Sequence, residues 1–347
     1  MCGITGFWDL KGTSRNIKIK EVISDMTDVL KSRGPDDKGI WIDKKNNISF
    51  GHRRLSIIEL SKLGSQPMLS QNKRYVITFN GEIYNFQNLK KELKSENVSF
   101  FSNSDTEVLI ESIAKWGLKK ALNKLSGMFA FALWDKKLKK MYLIRDRMGI
   151  KPIYFSFENK LLLFGSQTKG FTRHPYWKKR ISYDALGSFF KLGYIPSNKS
   201  IFEKTYQVLP GHYIEIKSNG VIKQECYWNL KEYVKKIKNN KPDEIQIKQN
   251  LKKLLSSSIK KHMISDVPLG SFLSGGIDSS LITALMQENS TKKIQTFNIG
   301  FDEKTLDESE FAIQIAQHIG TEHNNLICNN KDIINLIPKL NSIYDEP

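Results

Sequence analysis

The sequence is poor in cysteine, with three in 347 residues, and Cys2, Cys226 and Cys328 form no CxxC pair. So small and odd a set argues against a disulfide framework or a zinc site and fits a reducing cytoplasm. Long apolar runs are also missing. Residues 128–134 and 267–273 are strand-sized, far short of the roughly 20 residues that a membrane-spanning helix needs. Lys11, Arg15, Lys18 and Lys20 stand where the apolar core of a signal peptide would lie. There are only ten prolines, and no repeat or strong low-complexity tract. With 39% hydrophobic and 11% aromatic residues, the collagen-like, coiled-coil and disordered classes are excluded. Arginine is scarce too, at nine of the 54 basic residues. The net charge of +18 would by itself suggest a polyanionic or membrane-surface partner. Arginine, however, is the residue favoured for bidentate phosphate and base recognition, and the lysines are spread out, densest over 231–261. A lysine-rich solvated surface is the favoured reading, and a polyanion or membrane contact its alternative.

The length gives room for about two domains. In the first half, residues 74–79, 128–134, 140–144 and 161–164 are apolar or alternating runs bounded by turn residues, which predicts antiparallel sheet. Helical spacing covers 86–95 and 105–116, with Asp105 acceptable at a helix start. From about residue 243 the pattern becomes helix 244–263, strand 267–273, helix 279–287, strand 293–299, helix 307–319, strand 323–328 and helix 332–343. Alternating strand and helix implies crossover connections and a parallel sheet. Residues 219–242, lysine-rich and low in apolar residues, read as the linker.

Cys2 is the most informative residue. Removal of Met1 would leave a thiol and a free α-amine on one residue, and an amine with a pKa of about 8 can act as the thiol's general base. Motifs follow in order: Cys2-Gly3-Ile4-Thr5-Gly6, Arg33-Gly34-Pro35-Asp36, Gly51-His52-Arg53-Arg54-Leu55-Ser56-Ile57, Phe79-Asn80-Gly81-Glu82-Ile83-Tyr84-Asn85, Ser104-Asp105-Thr106-Glu107 and Arg145-Asp146-Arg147-Met148-Gly149-Ile150-Lys151-Pro152. Over residues 2–218 this set resembles the class II glutamine amidotransferase domain of glutamine-hydrolysing asparagine synthetases. The resemblance implies an α+β N-terminal-nucleophile hydrolase sandwich (αββα). It implies that Cys2 attacks the glutamine side-chain amide, giving a thioester and free ammonia, with the oxyanion held by the side-chain amide of Asn80 and the backbone N–H of Gly81. It further implies that Arg54 binds the substrate carboxylate, that Asp105 with Glu82 takes the α-ammonium, and that Leu55 and Ile57 border the substrate. His52 reads as structural, because the amine already supplies the base. Arg53 reads as a solvated strand residue, and Arg145, Asp146, Arg147 and Lys151 as loop-fixing or domain-facing charges.

In the second half, residues 266–280 form a strand, a small-residue loop and a helix start, where backbone N–H groups and the helix end suit a phosphate. GxxxxGK[ST] is absent, so this is no Walker A loop. Ser274-Gly275-Gly276-Ile277-Asp278-Ser279 instead resembles the pyrophosphate loop of ATP pyrophosphatases. The resemblance implies ATP phosphates held at Ser274, Gly275, Gly276 and Ser279, Mg2+ at Asp278, and Leu273 and Ile299 bordering the adenine. The domain over 243–347 would then be an incomplete α/β parallel-sheet ATP-pyrophosphatase domain. Relatives continue past Tyr344-Asp345-Glu346-Pro347 with a second ATP-contacting loop, and they usually carry glutamate at the position of Gln167.

The combined expectation is an ATP-dependent amidotransferase that passes ammonia internally to aspartate, activated as β-aspartyl-AMP, with the synthetase step doubtful on the residues present. One alternative is another acceptor, such as a sugar acid in polysaccharide synthesis. The other is a glutaminase with a non-catalytic docking half. Glutamine, aspartate and ATP are the expected ligands, with no nucleic acid or membrane partner and with a homodimer left open. Cys226, Cys328, His318 and His323 read as structural.

Overall fold

The computed structural model describes residues 1–12, 18–236, 243–305 and 307–347. They fall into two units, Met1–Ile237 with Asp345–Pro347, and Lys238–Tyr344.

The first unit contains strands β1 (Gly3–Asp9), β2 (Asp37–Asp43), β3 (Ile48–Arg54), β4 (Met68–Leu69), β5 (Tyr75–Ile83), β6 (Gly127–Asp135), β7 (Lys140–Arg145), β8 (Tyr154–Glu158), β9 (Leu161–Gly165), β10 (Thr205–Gln207), β11 (His212–Lys217) and β12 (Ile222–Cys226). Its helices are α1 (Ile19–Asp28), α2 (Phe86–Ser95), α3 (Asp105–Trp116), α4 (Leu118–Lys124), α5 (Tyr183–Leu192) and α6 (Leu230–Lys236). The strands form two six-stranded sheets, ordered β10-β8-β9-β1-β3-β2 and β12-β11-β7-β6-β5-β4. Alternation along each strand sends one set of side chains inward. Ile4, Trp8, Phe50 and Phe164 of the first sheet meet Val76, Ala132, Trp134 and Leu143 of the second. The Trp8 and Trp134 rings cross edge to face at 5.0 Å. On the outer side of the first sheet, Phe7 and Leu163 pack with Ile23 and Met26 of α1. Helix α3 lies against β5, and α2 packs on α3. The result is the four-layer αββα sandwich.

The second unit holds α7 (Glu244–His262), β13 (Gly270–Phe272), α8 (Ile277–Glu288), β14 (Gln295–Phe301), α9 (Ser309–Ile319), β15 (Glu322–Cys328), α10 (Asn330–Leu336) and α11 (Leu340–Ile343). The three strands pair in parallel in the order β13-β14-β15. Among the described residues, no helix is long and apolar enough to cross a membrane.

Several sequence expectations change. The strand expected at 267–273 is only Gly270–Phe272, because Pro268 carries no N–H for a ladder. The last helix is split by a short 3₁₀ turn, Ile337–Lys339, with Pro338 in its first turn. The segment read as linker contains β12, paired with β11, and α6. Strand β12 is an edge strand with mostly exposed residues, so its composition carries no core signal. Residues 237–242 of that segment lie outside the described residues. Arg53 is not a solvated residue. It is buried, and its guanidinium meets Asp28 at 2.6 Å, tying β3 to the end of α1.

Gly6 is an inward-facing position of β1. A Cβ there would lie 2.3 Å from the Phe164 ring and 2.5 Å from the Ser49 carbonyl. Overpacking of this kind costs about 1–3 kcal/mol, so Gly6→Ala is expected to lower the unfolding free energy by that amount, read as a lower urea midpoint at unchanged slope. An unchanged midpoint would show that the sheet yields at this point.

Candidate active site

Cys2 immediately precedes β1, and the register of β1 on β3 pairs Gly3 with Arg53. Arg54 and Leu55, the residues that follow, therefore run alongside Cys2. The Leu55 N–H donates to the Cys2 sulfur at 3.4 Å, and the Arg33 Nε–H donates to the Cys2 carbonyl at 3.1 Å. Cys2 lines a cavity of about 230 Å³ with Met1, Arg54, Leu55, Ile57, Gln66, Asn80, Gly81, Glu82, Asp105 and Lys151 among its walls. This is somewhat below the range of about 300–1,000 Å³ usual for ligand cavities. Every first-half site residue expected from the sequence is in that wall.

Each wall residue has a structural cause. Asn80 and Gly81 lie in β5, where Gly81 pairs with Phe129 of β6. A Cβ on residue 81 would meet the Met128 carbonyl at 2.2 Å, so the strands approach too closely there for a side chain. Asn80 is buried, and its side-chain nitrogen has no hydrogen-bond partner among the described residues. A buried amide donor without a partner is costly unless a ligand supplies one. Arg54 is held by hydrogen bonds to the carbonyls of Ile58, Glu59 and Ser61, which fixes a buried guanidinium at the cavity.

Asp105 is the first residue of α3, and the cap is its neighbour. Ser104 accepts the Thr106 N–H, so Asp105 is free of the capping role. Its Oδ2 accepts the Ile83 N–H at 2.9 Å. Burial pushes the Asp105 carboxyl up to about 6, with Glu82 adding repulsion and the Ile83 N–H opposing both. A second carboxylate nearby disfavours ionisation of the first, and a cation bound beside the pair would offset that. Burial also raises the Cys2 thiol. His52 is buried, and its Nε2 donates to the Phe79 carbonyl at 3.1 Å. Burial lowers it to about 4, so it is a neutral brace between the sheets.

Gln66 and Lys151 are among the wall residues that the sequence reading did not assign to the site. Gln66 joins the two arms of the cavity. Its Oε1 accepts the Phe79 N–H at 2.7 Å, beside Asn80, and its Nε2 donates to Thr106 Oγ1 at 3.2 Å, beside Asp105. Lys151 was read as a loop or domain-facing charge, yet it is buried and lines the cavity. The other loop residues behave as expected. Asp146 accepts the N–H groups of Phe129, Met148, Ile150 and Lys151, and Arg145 donates to the carbonyls of Gly149, Lys151 and Val208. Gln167 precedes Thr168 and Lys169, which bond the Asp345 carboxylate.

In the second unit, β13 leads through Leu273–Gly276 into α8. Gly275 has φ +83°, and a Cβ there would lie 2.7 Å from Phe311 Cβ, so the turn requires glycine. Ser279 Oγ lies 3.3 Å from the Ser274 N–H and 3.2 Å from Ser274 Oγ. Asp278 is exposed in the first turn of α8, and Ile299 is half exposed on β14. The Leu273 side chain is packed against Ala312 and Ala316, which leaves its backbone rather than its side chain to border a ligand. Among the described residues no group of three potential metal ligands occurs.

The raised Asp105 carboxyl has a stability consequence. Between its unfolded value of 3.8 and about 6, the folded protein holds a proton that the unfolded chain has lost, so stability falls as pH rises through that window. Asp105→Asn is expected to be more stable than wild type at pH 7, by about 1–3 kcal/mol. The two should converge near pH 3.5. Denaturant unfolding at both pH values checks this, and a variant less stable at pH 7 would contradict the burial account.

The model for "glutamine amidotransferase domain" matches residues 1–228 and that for "asparagine synthase" matches 250–347. Asparagine synthetase (glutamine-hydrolyzing) 3 of Bacillus subtilis is 32% identical over all of this chain and 57% of its own length. Putative asparagine synthetase (glutamine-hydrolyzing) 2 of Methanocaldococcus jannaschii is 35% identical over all of this chain and 68% of its own length. Amidase chry2 of Gibberella zeae is 32% identical over 93% of this chain and 50% of its own length. The chain thus spans 50% to 68% of the length of these relatives. With a cysteine at position 2 beside the cavity, and both family models matched in order, the chain belongs to the glutamine-hydrolysing asparagine synthetase family.

Proposed function

We propose that the first unit hydrolyses the side-chain amide of glutamine and that the ammonia is destined for an ATP-activated carboxylate, aspartate being the acceptor suggested by the names of the relatives. The observation that carries this reading is the one cavity lined by Cys2, by Asn80 with its side-chain nitrogen unpartnered among the described residues, by the Arg54 guanidinium and by the Asp105–Glu82 pair. Removal of Met1 places the α-amine on Cys2. The amine takes the thiol proton as sulfur attacks the amide carbon. The oxyanion is received by the Asn80 side chain and the Gly81 N–H. Collapse expels the nitrogen, which takes its proton from the α-ammonium and leaves as ammonia. Water then cleaves the thioester and releases glutamate. Arg54 and the Asp105–Glu82 pair hold the substrate's α-carboxylate and α-ammonium, which fixes the amide against sulfur.

In the second unit, the loop of small residues before α8 fits a nucleotide phosphate by its backbone and by Ser274 and Ser279. The single carboxylate of Asp278 fits Mg2+ only in company with phosphate oxygens. Bound ATP would supply the activation of the acceptor carboxylate.

On this reading Cys2→Ala releases no glutamate from glutamine, and Asn80→Ala loses about 100- to 1000-fold in kcat. Glutaminase activity surviving in Cys2→Ala would remove the nucleophile assignment. Pyrophosphate release from ATP that depends on aspartate and ammonium tests the acceptor. Its absence with aspartate and its presence with another carboxylate would reassign it.

A further inference from the structure

Lys151 is left without a task by the scheme above. Its loop does not need its side chain. The Lys151 N–H is taken by Asp146 Oδ2 at 2.9 Å and its carbonyl by Arg145 Nε at 3.1 Å, so the backbone is fixed on both sides. The side chain is nevertheless buried, in the cavity that Cys2 lines. Holding an ammonium out of water costs several kcal/mol unless neighbouring charge offsets it. The charges that face the N-terminal residue come from several elements. Glu82 from the end of β5 and Asp105 from α3 are acidic. Arg33 from the segment after α1, Arg54 from β3 and Lys151 from the segment after β7 are basic, and His52 is neutral. The two carboxylates that suit glutamine's α-ammonium also favour a protonated α-amine and oppose a thiolate. That is the wrong bias for a nucleophile whose own amine must accept a proton.

We propose that the Lys151 ammonium is a positioning cation for the nucleophile, keeping the Cys2 amine–thiol pair in the form that has already lost one proton at neutral pH. This deepens the glutaminase reading and rests on it. The sign does not depend on which group loses the proton. A neutral amine beside a thiol and a thiolate beside an ammonium both carry one unit less charge than the fully protonated pair, and a nearby cation favours either. The amine of Met1, one residue from the position the mature amine would take, already behaves this way. Burial lowers it first, and Arg33 and Lys151 lower it further against Cys2 and Glu82. Arg33 is committed to the Cys2 carbonyl and Arg54 to the carbonyls of Ile58, Glu59 and Ser61, which leaves Lys151 as the cation of this group for which no side-chain hydrogen bond is found among the described residues.

The experiment compares wild type, Lys151→Met, Lys151→Gln and Lys151→Arg, each verified by mass to begin at Cys2. It records kcat/KM for glutamine from pH 5.5 to 9.5. It also records the rate at which iodoacetamide alkylates the N-terminal peptide over the same range, so that Cys226 and Cys328 do not interfere and no glutamine is needed. Both neutral variants should move the acid limb of both profiles up by about one pH unit, and Lys151→Arg should restore it. An alkylation profile that stays in place in the neutral variants overturns the proposal, whatever happens to kcat. A rise in KM alone, with that profile unmoved, also overturns it and assigns Lys151 to the substrate. Wild-type chain that is alkylated at Cys2 but never hydrolyses glutamine sinks the glutaminase reading, while the alkylation profiles still decide the role of Lys151.

Discussion

The nucleophile proposed at the second residue has little chain before it to hold it, and chain ends ordinarily fray. Here the constraint is met by making β1 an inner strand. It pairs with β3 on one edge and β9 on the other, and all seven of its residues are buried. The cost falls on side-chain volume. Gly3 and Gly6 in β1 and Gly51 in β3 stand where a Cβ would meet Leu30, Phe164 and Thr27 at 3.0 Å or less. Arg33 adds a hydrogen bond to the Cys2 carbonyl. From that fixed end the register decides the rest, since Gly3 opposite Arg53 puts Arg54 and Leu55 beside the sulfur. The His52 bond to the Phe79 carbonyl ties that strand to the one carrying Asn80 and Gly81.

The same burial that orders the site sets its electrostatics. Water is displaced from Cys2, Asp105, His52 and Lys151, and each responds by disfavouring its charged form. A cavity in this condition binds an ion of matching charge pattern more strongly than an exposed surface could. Under the proposed function glutamine supplies that pattern, with a carboxylate for Arg54 and an ammonium for Asp105 and Glu82, and stability given up at Asp105 would be recovered on binding.

Much of this was legible in the sequence. The helices at 86–95 and 105–116 match their spacing residue for residue, and the first-half motifs name residues that meet in one cavity although Cys2 and Asp105 are a hundred positions apart. What was not legible was burial. Arg53 and Lys151 look like surface charges in a lysine-rich chain, and only the packing of α1 and of the loop after β7 takes them out of water. Gln66 gives no pattern at all, because its two bonds join strands and helices distant in sequence. In the second unit, proline at 268 and 338 shortened a strand and broke a helix that apolar spacing alone had extended.

The central claim is that glutamine nitrogen is released as the γ-acyl group passes to the second residue. Intact-protein mass spectrometry on samples acid-quenched within the first turnovers with glutamine tests it directly. The account predicts a chain lacking Met1 that carries a γ-glutamyl group, located by fragmentation on Cys2. Glutamate accumulating with no adduct at Cys2, or with the adduct on another residue, would contradict it.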